Sequence, residues 1–326
     1  MKLCLFDPGI EDNQGTPSSN LGDLIIQAAV NRELRRSFGT VEPLRISTQT
    51  RMVTELMNRV RLSDHLFVGG TNLLSAKMRE YKQWQITMAD AWRIGRAVLL
   101  GVGWWQYQAA TDWFTRLVLC GALSWKMQHS VRDEYTLKRL NAIGFKNVIN
   151  TGCPTMWPLL DFDFTKMPAT KADTALLMLT DYAPNPELDT KLYKVIKANY
   201  HTVFFWPQGR RDMEYVKDLN FQVSALEHSF NALNEFLQSG PRFDYIGTRL
   251  HGGVHCLLTG KRSLVIEVDN RAKEIACDTG FPTAARNDLE AVRRWIAGPV
   301  RFNIKMNRSA IDRWRAQFKS KATVGN

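Results

Sequence analysis

The sequence predicts an α/β protein built from two Rossmann-like domains with parallel sheets. Three observations lead there. Short apolar runs alternate with longer amphipathic stretches from end to end, the alternation lapses once near the middle and restarts, and the loops after the apolar runs carry glycines and polar residues. At 326 residues and 44% hydrophobic content, the chain has enough apolar material for two cores.

In the first domain, set at residues 1–157, strands are expected at Lys2–Phe6, His65–Gly69, Ala97–Gly101 and Gln128–Val131. Helices are expected at Asp23–Phe38, Thr50–Leu62, Thr111–Leu123 and Glu134–Ile143, the last stopped by Gly144. Cys153-Pro154-Thr155 and the stretch from Leu160 to Lys171 hold turn residues with little periodicity, which sets a linker at about 157–173. The second domain, 173–326, restarts with strands at Ala175–Leu179, Thr202–Trp206, Asp244–Gly247 and Ser263–Val268. Helices at Pro186–Asn199, Asp212–Asp218, Asn231–Leu237 and His251–Leu258 lie between or after them. Leu289, Val292, Trp295 and Ile296, then Ile311, Trp314 and Phe318, recur at helical spacing and read as core stripes of terminal helices. In this scheme the two domains face each other across a cleft, and chemistry belongs in the loops beyond the carboxyl ends of the strands.

A net charge of +11 and a pI near 9.5 point to an anionic partner. The basic residues are scattered and no nucleic-acid motif occurs, which excludes nucleic acid and leaves phosphorylated substrates or peripheral contact with anionic lipid. Arg313, Arg315, Lys319 and Lys321 form a basic tail that reads as a solvated helix face. The five cysteines include no CxxC pair and read as reduced thiols. The apolar run at the start is too short for a signal peptide, and Leu117–Leu123 is too short to span a bilayer. The expectation is a cytoplasmic protein, at most peripheral at the inner face of the membrane.

The most informative stretch is Tyr245 to His255, a strand running into a helix with Arg249, His251, Gly252 and Gly253 at the junction. Such a junction aims a guanidinium and backbone N–H groups at an anion on the positive end of the helix dipole. Five further junctions share its character. Asn20-Leu21-Gly22-Asp23 precedes a helix, with Asp23 as N-cap and with Asn20 and the Gly22 backbone open to a phosphate or hydroxyl. Gly69-Gly70-Thr71-Asn72 and Gly101-Val102-Gly103-Trp104-Trp105 end strands; position 106 is Gln106, so the latter is not a dinucleotide fingerprint. Trp104 and Trp105 either pack or stack on a sugar ring. His129 to Asp133 places Arg132 beside Asp133, and Trp206 to Asp212 offers Gln208 to a polar ligand or to capping. His251 and His255 stand four apart, but Gly252 occupies the place of the glutamate a zinc protease needs, so no metal is expected. No GxSxG elbow occurs.

Taken in order, Asn20 to Asp23, Gly69-Gly70, Ser130 to Asp133 and Gly247 to His251 resemble the motif series of the polysaccharide pyruvyl transferase family, most specifically from Asp244 to Gly280. Thr71 after the glycine pair, Trp104-Trp105, and Arg262 in place of a proline depart from the family pattern. The resemblance implies a fold similar to the two-domain GT-B glycosyltransferases, phosphoenolpyruvate as donor and a sugar diol, lipid-linked or free, as acceptor. It also implies no cofactor, and a bacterial exopolysaccharide or other cell-surface polysaccharide as destination. It assigns Arg132, Arg249 and His251 to the donor, with Gly252 and Gln208 beside them. Asn20, Gly22, Asp23, Gly69, Gly70, Trp104 and Asp133 are then acceptor or loop candidates. Two arginines suit a donor with a phosphate and a carboxylate, and a histidine suits proton transfer near neutral pH. The alternative is a GT-B glycosyltransferase using a nucleotide sugar, for which the second domain offers no convincing acidic ribose anchor. A catalytically silent sugar-binding subunit is the third reading.

Overall fold

The computed structural model describes residues 1–319. The first half of the chain runs β1 (Leu3–Asp7), α1 (Leu21–Phe38), β2 (Leu44–Ser47), α2 (Thr54–Arg61), β3 (His65–Gly69), α3 (Met88–Ile94), β4 (Val98–Val102), α4 (Trp113–Ala122), β5 (His129–Val131), α5 (Glu134–Ile143) and β6 (Val148–Asn150). Two 3-10 helices, Pro154–Asp161 and Phe164–Lys166, lead on. The second half runs β7 (Thr174–Met178), α6 (Pro186–Asn199), β8 (Thr202–Phe205), α7 (Asp212–Asp218), β9 (Ser224–Ala225), α8 (Phe230–Ser239), β10 (Phe243–Gly247), α9 (Leu250–Leu258), β11 (Ser263–Glu267), α10 (Asn270–Thr279), β12 (Thr283–Ala285), α11 (Leu289–Ala297) and α12 (Arg308–Ala316).

Two compact units result. One comprises Met1–Ser18, Ile26–Trp157 and the chain from Met306; the other comprises Ser19–Ile25 and Pro158–Lys305. Each holds a six-stranded sheet, in the orders β2-β1-β3-β4-β5-β6 and β12-β11-β10-β7-β8-β9. Every pairing between these strands is parallel. The wholly buried strands β4 and β7 sit inside, where a parallel sheet covered on both faces needs them. The strand order reverses between β1 and β3 in one unit and between β7 and β10 in the other, so each sheet has one switch point for a ligand crevice.

Apart from α10, the elements that periodicity leaves out are short. β9 is an exposed Ser-Ala pair and β12 is Thr-Ala-Ala, neither with an apolar run to read. The seven-residue α3 is held at its ends instead, by a Thr87–Asp90 capping box and a left-handed Gly95.

The domain limits also differ from the expected ones. α12, read as the end of the second domain, belongs to the first unit: Trp314 and Phe318 are buried against Phe67, and Arg315 donates to the buried Glu33 at 2.7 Å while lying over Trp157. The basic tail is thus partly spent on packing, and Lys321 lies outside the described residues. Among the described residues no helix is long and apolar enough to cross a membrane.

Candidate functional site

In the second unit the loops after β7, β8, β10 and β11 gather around the β7/β10 switch point. Arg249 follows β10 and is 2% exposed. Its Nε donates to Asp212 Oδ2 at 2.9 Å and to the Leu179 carbonyl at 3.2 Å; its Nη2 pairs with Asp212 Oδ1 and reaches Asp181 Oδ1 at 3.1 Å. Asp212 ties the site together, because it also accepts the backbone N–H groups of Gln208, Gly209 and Asp181. Burial pushes its carboxyl upward against the pull of Arg249. A Cβ on Gly209 would lie 2.1 Å from Arg249 Nη2, so only glycine lets the guanidinium lie there.

His251 and Gly252 fall in the first turn of α9, where the N-cap residue Arg249 makes no side-chain cap. That end of the helix keeps its positive field for a ligand. His251 is 5% exposed, and His255 one turn on is held by Asn234 at 3.0 Å. Burial depresses the His255 pKa.

Gln208 is buried and joins this end of α9 to the segment around Asn20, which belongs to the same unit. Its carbonyl accepts Leu21 N–H at 2.9 Å, and its Nε2 donates to Asn20 Oδ1 at 3.2 Å. Asn20 Oδ1 already accepts Gly22 N–H, which fixes it as an acceptor and so fixes the Gln208 amide with Oε1 turned toward Gly252. Oε1 has no hydrogen-bond partner, an acceptor awaiting an O–H or N–H. Asn20, Gly22, Gln208, Arg249, His251 and Gly252 therefore share one unit. Asp23 differs from expectation: it sits inside α1 in the first turn, and Asn20 takes the capping contact, because Oδ1 of Asn20 is the atom that reaches the helix N–H.

Sequence reasoning missed the outer rim of this site. Tyr182, after β7, lies under two guanidinium groups, those of Arg249 at 5.2 Å and Arg271 at 5.4 Å. Arg271 donates to the Tyr182 hydroxyl and to Asp269 at 2.9 Å. The available signal was position, since Asp181 and Tyr182 directly follow one strand and Asp269 and Arg271 another.

The first unit carries its own cluster. Arg132, one residue past β5 and 1% exposed, donates from Nη1 to Asn72 Oδ1 at 2.7 Å and from Nε to Asp133 Oδ2 at 3.0 Å. Its Nη2 is 2.9 Å from the same carboxylate oxygen but off the hydrogen-bond direction, and makes no hydrogen bond. A Cβ on Gly103 would lie 2.3 Å from Arg132 Cζ. Asp133 caps α5 through Thr136 N–H at 2.8 Å and also accepts the Thr136 hydroxyl at 2.6 Å. With both oxygens engaged, it positions Arg132. Gly69 closes β3, and Gly70 packs so near the Gly101 carbonyl that a Cβ would lie 2.6 Å from its oxygen.

Trp104 calls for a correction. It is wholly buried, its Nε1 donates to Gln108 at 2.9 Å and Arg139 lies over its ring at 4.9 Å, so it has no face to offer a sugar. The apolar loop after β4 folds it into the core. Arg262, the departure from the family proline, is also buried, 3.4 Å from Asp244 and over Trp295 at 4.6 Å, and serves packing.

Comparison with known proteins agrees with the motif series. A family model described as polysaccharide pyruvyl transferase matches residues 20–270. No curated protein matches the chain in sequence. Solved structures that match include UDP-GlcNAc 2-epimerase from Neisseria meningitidis with bound UDP-GlcNAc, at 13% identity and a TM-score of 0.45, covering 100% of this chain and 95% of that one.

Proposed function

Because the chain belongs to the polysaccharide pyruvyl transferase family, we propose that it moves the pyruvyl group of phosphoenolpyruvate onto two hydroxyls of a sugar, forming a ketal. The observation that carries this reading is the placement of buried Arg249 and His251 at the N-terminal end of α9, which has no side-chain cap, at a sheet switch point. Arg249, held in position beforehand by Asp212, supplies guanidinium charge of the kind that phosphate and carboxylate require, and Arg132, held by Asp133, is the corresponding cation of the first unit. The Gly252 backbone approaches the phosphate, and the Gln208 Oε1 accepts a hydrogen bond from a hydroxyl.

In the reaction a proton adds to the methylene carbon of the enol and makes it methyl. One sugar hydroxyl adds at the neighbouring carbon, phosphate leaves with its bridging oxygen, and a second hydroxyl adds at the same carbon. Of the two hydroxyl protons, one balances the new methyl hydrogen and the other leaves with phosphate. His251 gives or takes protons in this sequence, a role worth about 10²–10⁴ in rate. The acceptor is a saccharide, lipid-linked or free, of a bacterial surface polysaccharide, and the reaction calls for no cofactor.

The test is ligand-dependent melting of the purified protein. Phosphoenolpyruvate at about 100 times its dissociation constant should stabilise the protein by roughly 2.7 kcal/mol, with no shift from uridine or guanosine diphosphate. A shift with a nucleotide alone would transfer the chain to nucleotide-sugar chemistry. Near-normal turnover in His251→Ala with the donor still bound would remove the histidine from the mechanism.

A further inference from the structure

From Lys77 to Lys126 the sequence holds seven basic residues and three acidic ones, together with six of the ten tryptophans. The acids are spent locally. Asp90 closes the capping box of α3, Asp112 caps α4, and Glu80 pairs with Lys77 at 3.3 Å. The basic side chains Arg79, Arg93, Arg116 and Lys126 are exposed.

The tryptophans of this segment divide. Trp84 and Trp104 are core, but Trp92 is 67% exposed, Trp113 62% and Trp125 53%. The exposed three lie together. Trp113, Leu117 and Cys120 form one stripe along α4, and Leu117 is itself 41% exposed. Trp92 of α3 lies over Gly121 of α4, where a Cβ would be 3.2 Å from the indole ring. Trp125 donates from its indole N–H to the Cys120 carbonyl at 3.0 Å. At the other end of the stripe, the Arg79 guanidinium sits 5.3 Å from the Trp113 ring. Past Arg79 opens a cavity of about 380 Å³, floored by Met78, Trp84 and Phe114 and flanked by Arg51 and Lys82.

We propose that this α3–α4 face of the first unit docks on an anionic phospholipid bilayer. Tryptophan and arginine together suit the headgroup level, where the ring is half immersed and the cation meets lipid phosphate. The basic cavity beside Trp113 receives a lipid phosphate. Charge also selects this occupant over a second copy of the chain, because two such faces brought together would oppose like charges across the contact. The proposal is independent of the donor reading.

The full chain is pelleted with vesicles of phosphatidylcholine alone and of phosphatidylcholine mixed with phosphatidylglycerol, at low and high salt. Wild type should pellet only with the mixed vesicles and should be released by salt. Trp92→Ala with Trp113→Ala, and separately Arg79→Glu with Arg116→Glu, should each lower binding by at least roughly tenfold while keeping the wild-type melting temperature. Wild type left in the supernatant, or pelleting unchanged in both variants, overturns the proposal. So does a change from dimer to monomer in the tryptophan variant with vesicle binding unchanged, since the face would then join copies of the chain. Because vesicle binding is read without turnover, loss of the donor reading would leave this result standing.

Discussion

Arg132 in the first unit and Arg249 in the second both lie buried beside aspartates at the ends of parallel strands, yet their surroundings differ in kind. Arg132 is pinned by Asn72 and Asp133, and Asp133 is itself satisfied by Thr136. Arg249 is shared by Asp212 and Asp181 beside a ring that also carries Arg271, next to a helix end without a side-chain cap and an amide oxygen without a partner. One arrangement resembles a finished core contact with a single spare N–H, the other leaves a helix end without a side-chain cap and an amide oxygen unpartnered. A buried guanidinium alone does not mark a binding site; unspent donors and acceptors around it do.

The largest test of this contrast is truncation. Removing one partner of a buried pair costs about 3–5 kcal/mol, and Arg132→Ala does so fully, because Asp133 Oδ2 and Asn72 Oδ1 both lose the donor that holds them. Arg249→Ala leaves Asp212 its three backbone N–H bonds and should cost less stability. Melting of the two variants in parallel measures the difference, and equal losses would erase the distinction.

A smaller, more local perturbation adds one methyl. Gly103→Ala and Gly209→Ala would each drive a Cβ into a guanidinium, at 2.3 Å from Arg132 Cζ and 2.1 Å from Arg249 Nη2. Displacing Arg249 from a charge-assisted contact, worth about 1.5–3 kcal/mol, should weaken binding of the proposed donor, phosphoenolpyruvate, roughly tenfold or more in calorimetric titration. The effect should be greater for Gly209, which lies against Arg249. Normal affinity in both variants would show that these glycines serve folding alone.

Much of this was legible in the sequence because it depends on local pattern. The strands at Ala175–Leu179 and Asp244–Gly247 announce themselves as apolar runs, and a glycine-rich junction after the second marks an anion site. What stayed hidden depends on distance along the chain. Asp212 and Asp181 lie 37 and 68 residues from Arg249, and Gln208 is 188 from Asn20. Nothing in periodicity announces such pairs. Trp104 misleads for a related reason, since an aromatic after a glycine turn reads the same whether it meets solvent or folds back under Arg139.

The finest test of the contrast is acidity, because a finished core contact has a proton count of its own. His129, wholly buried at the start of β5, accepts Leu99 N–H at Nδ1 and therefore donates from Nε2 to the Ser124 carbonyl at 2.7 Å. Burial lowers its pKa to about 4, with the Ser124 contact opposing, against an ordinary value of 6.5. Below pH 6.5 the unfolded chain binds a proton that the folded chain refuses, so stability falls as pH falls toward 4. Between pH 6.5 and 5.5 the loss should be about 1 kcal/mol. In His129→Gln that slope should flatten, although melting starts lower because the imidazole contacts with Leu99 and Ser124 are lost. An unchanged slope would place the acid-sensitive group elsewhere, with His255, also depressed by burial but in the second unit, as the next to replace.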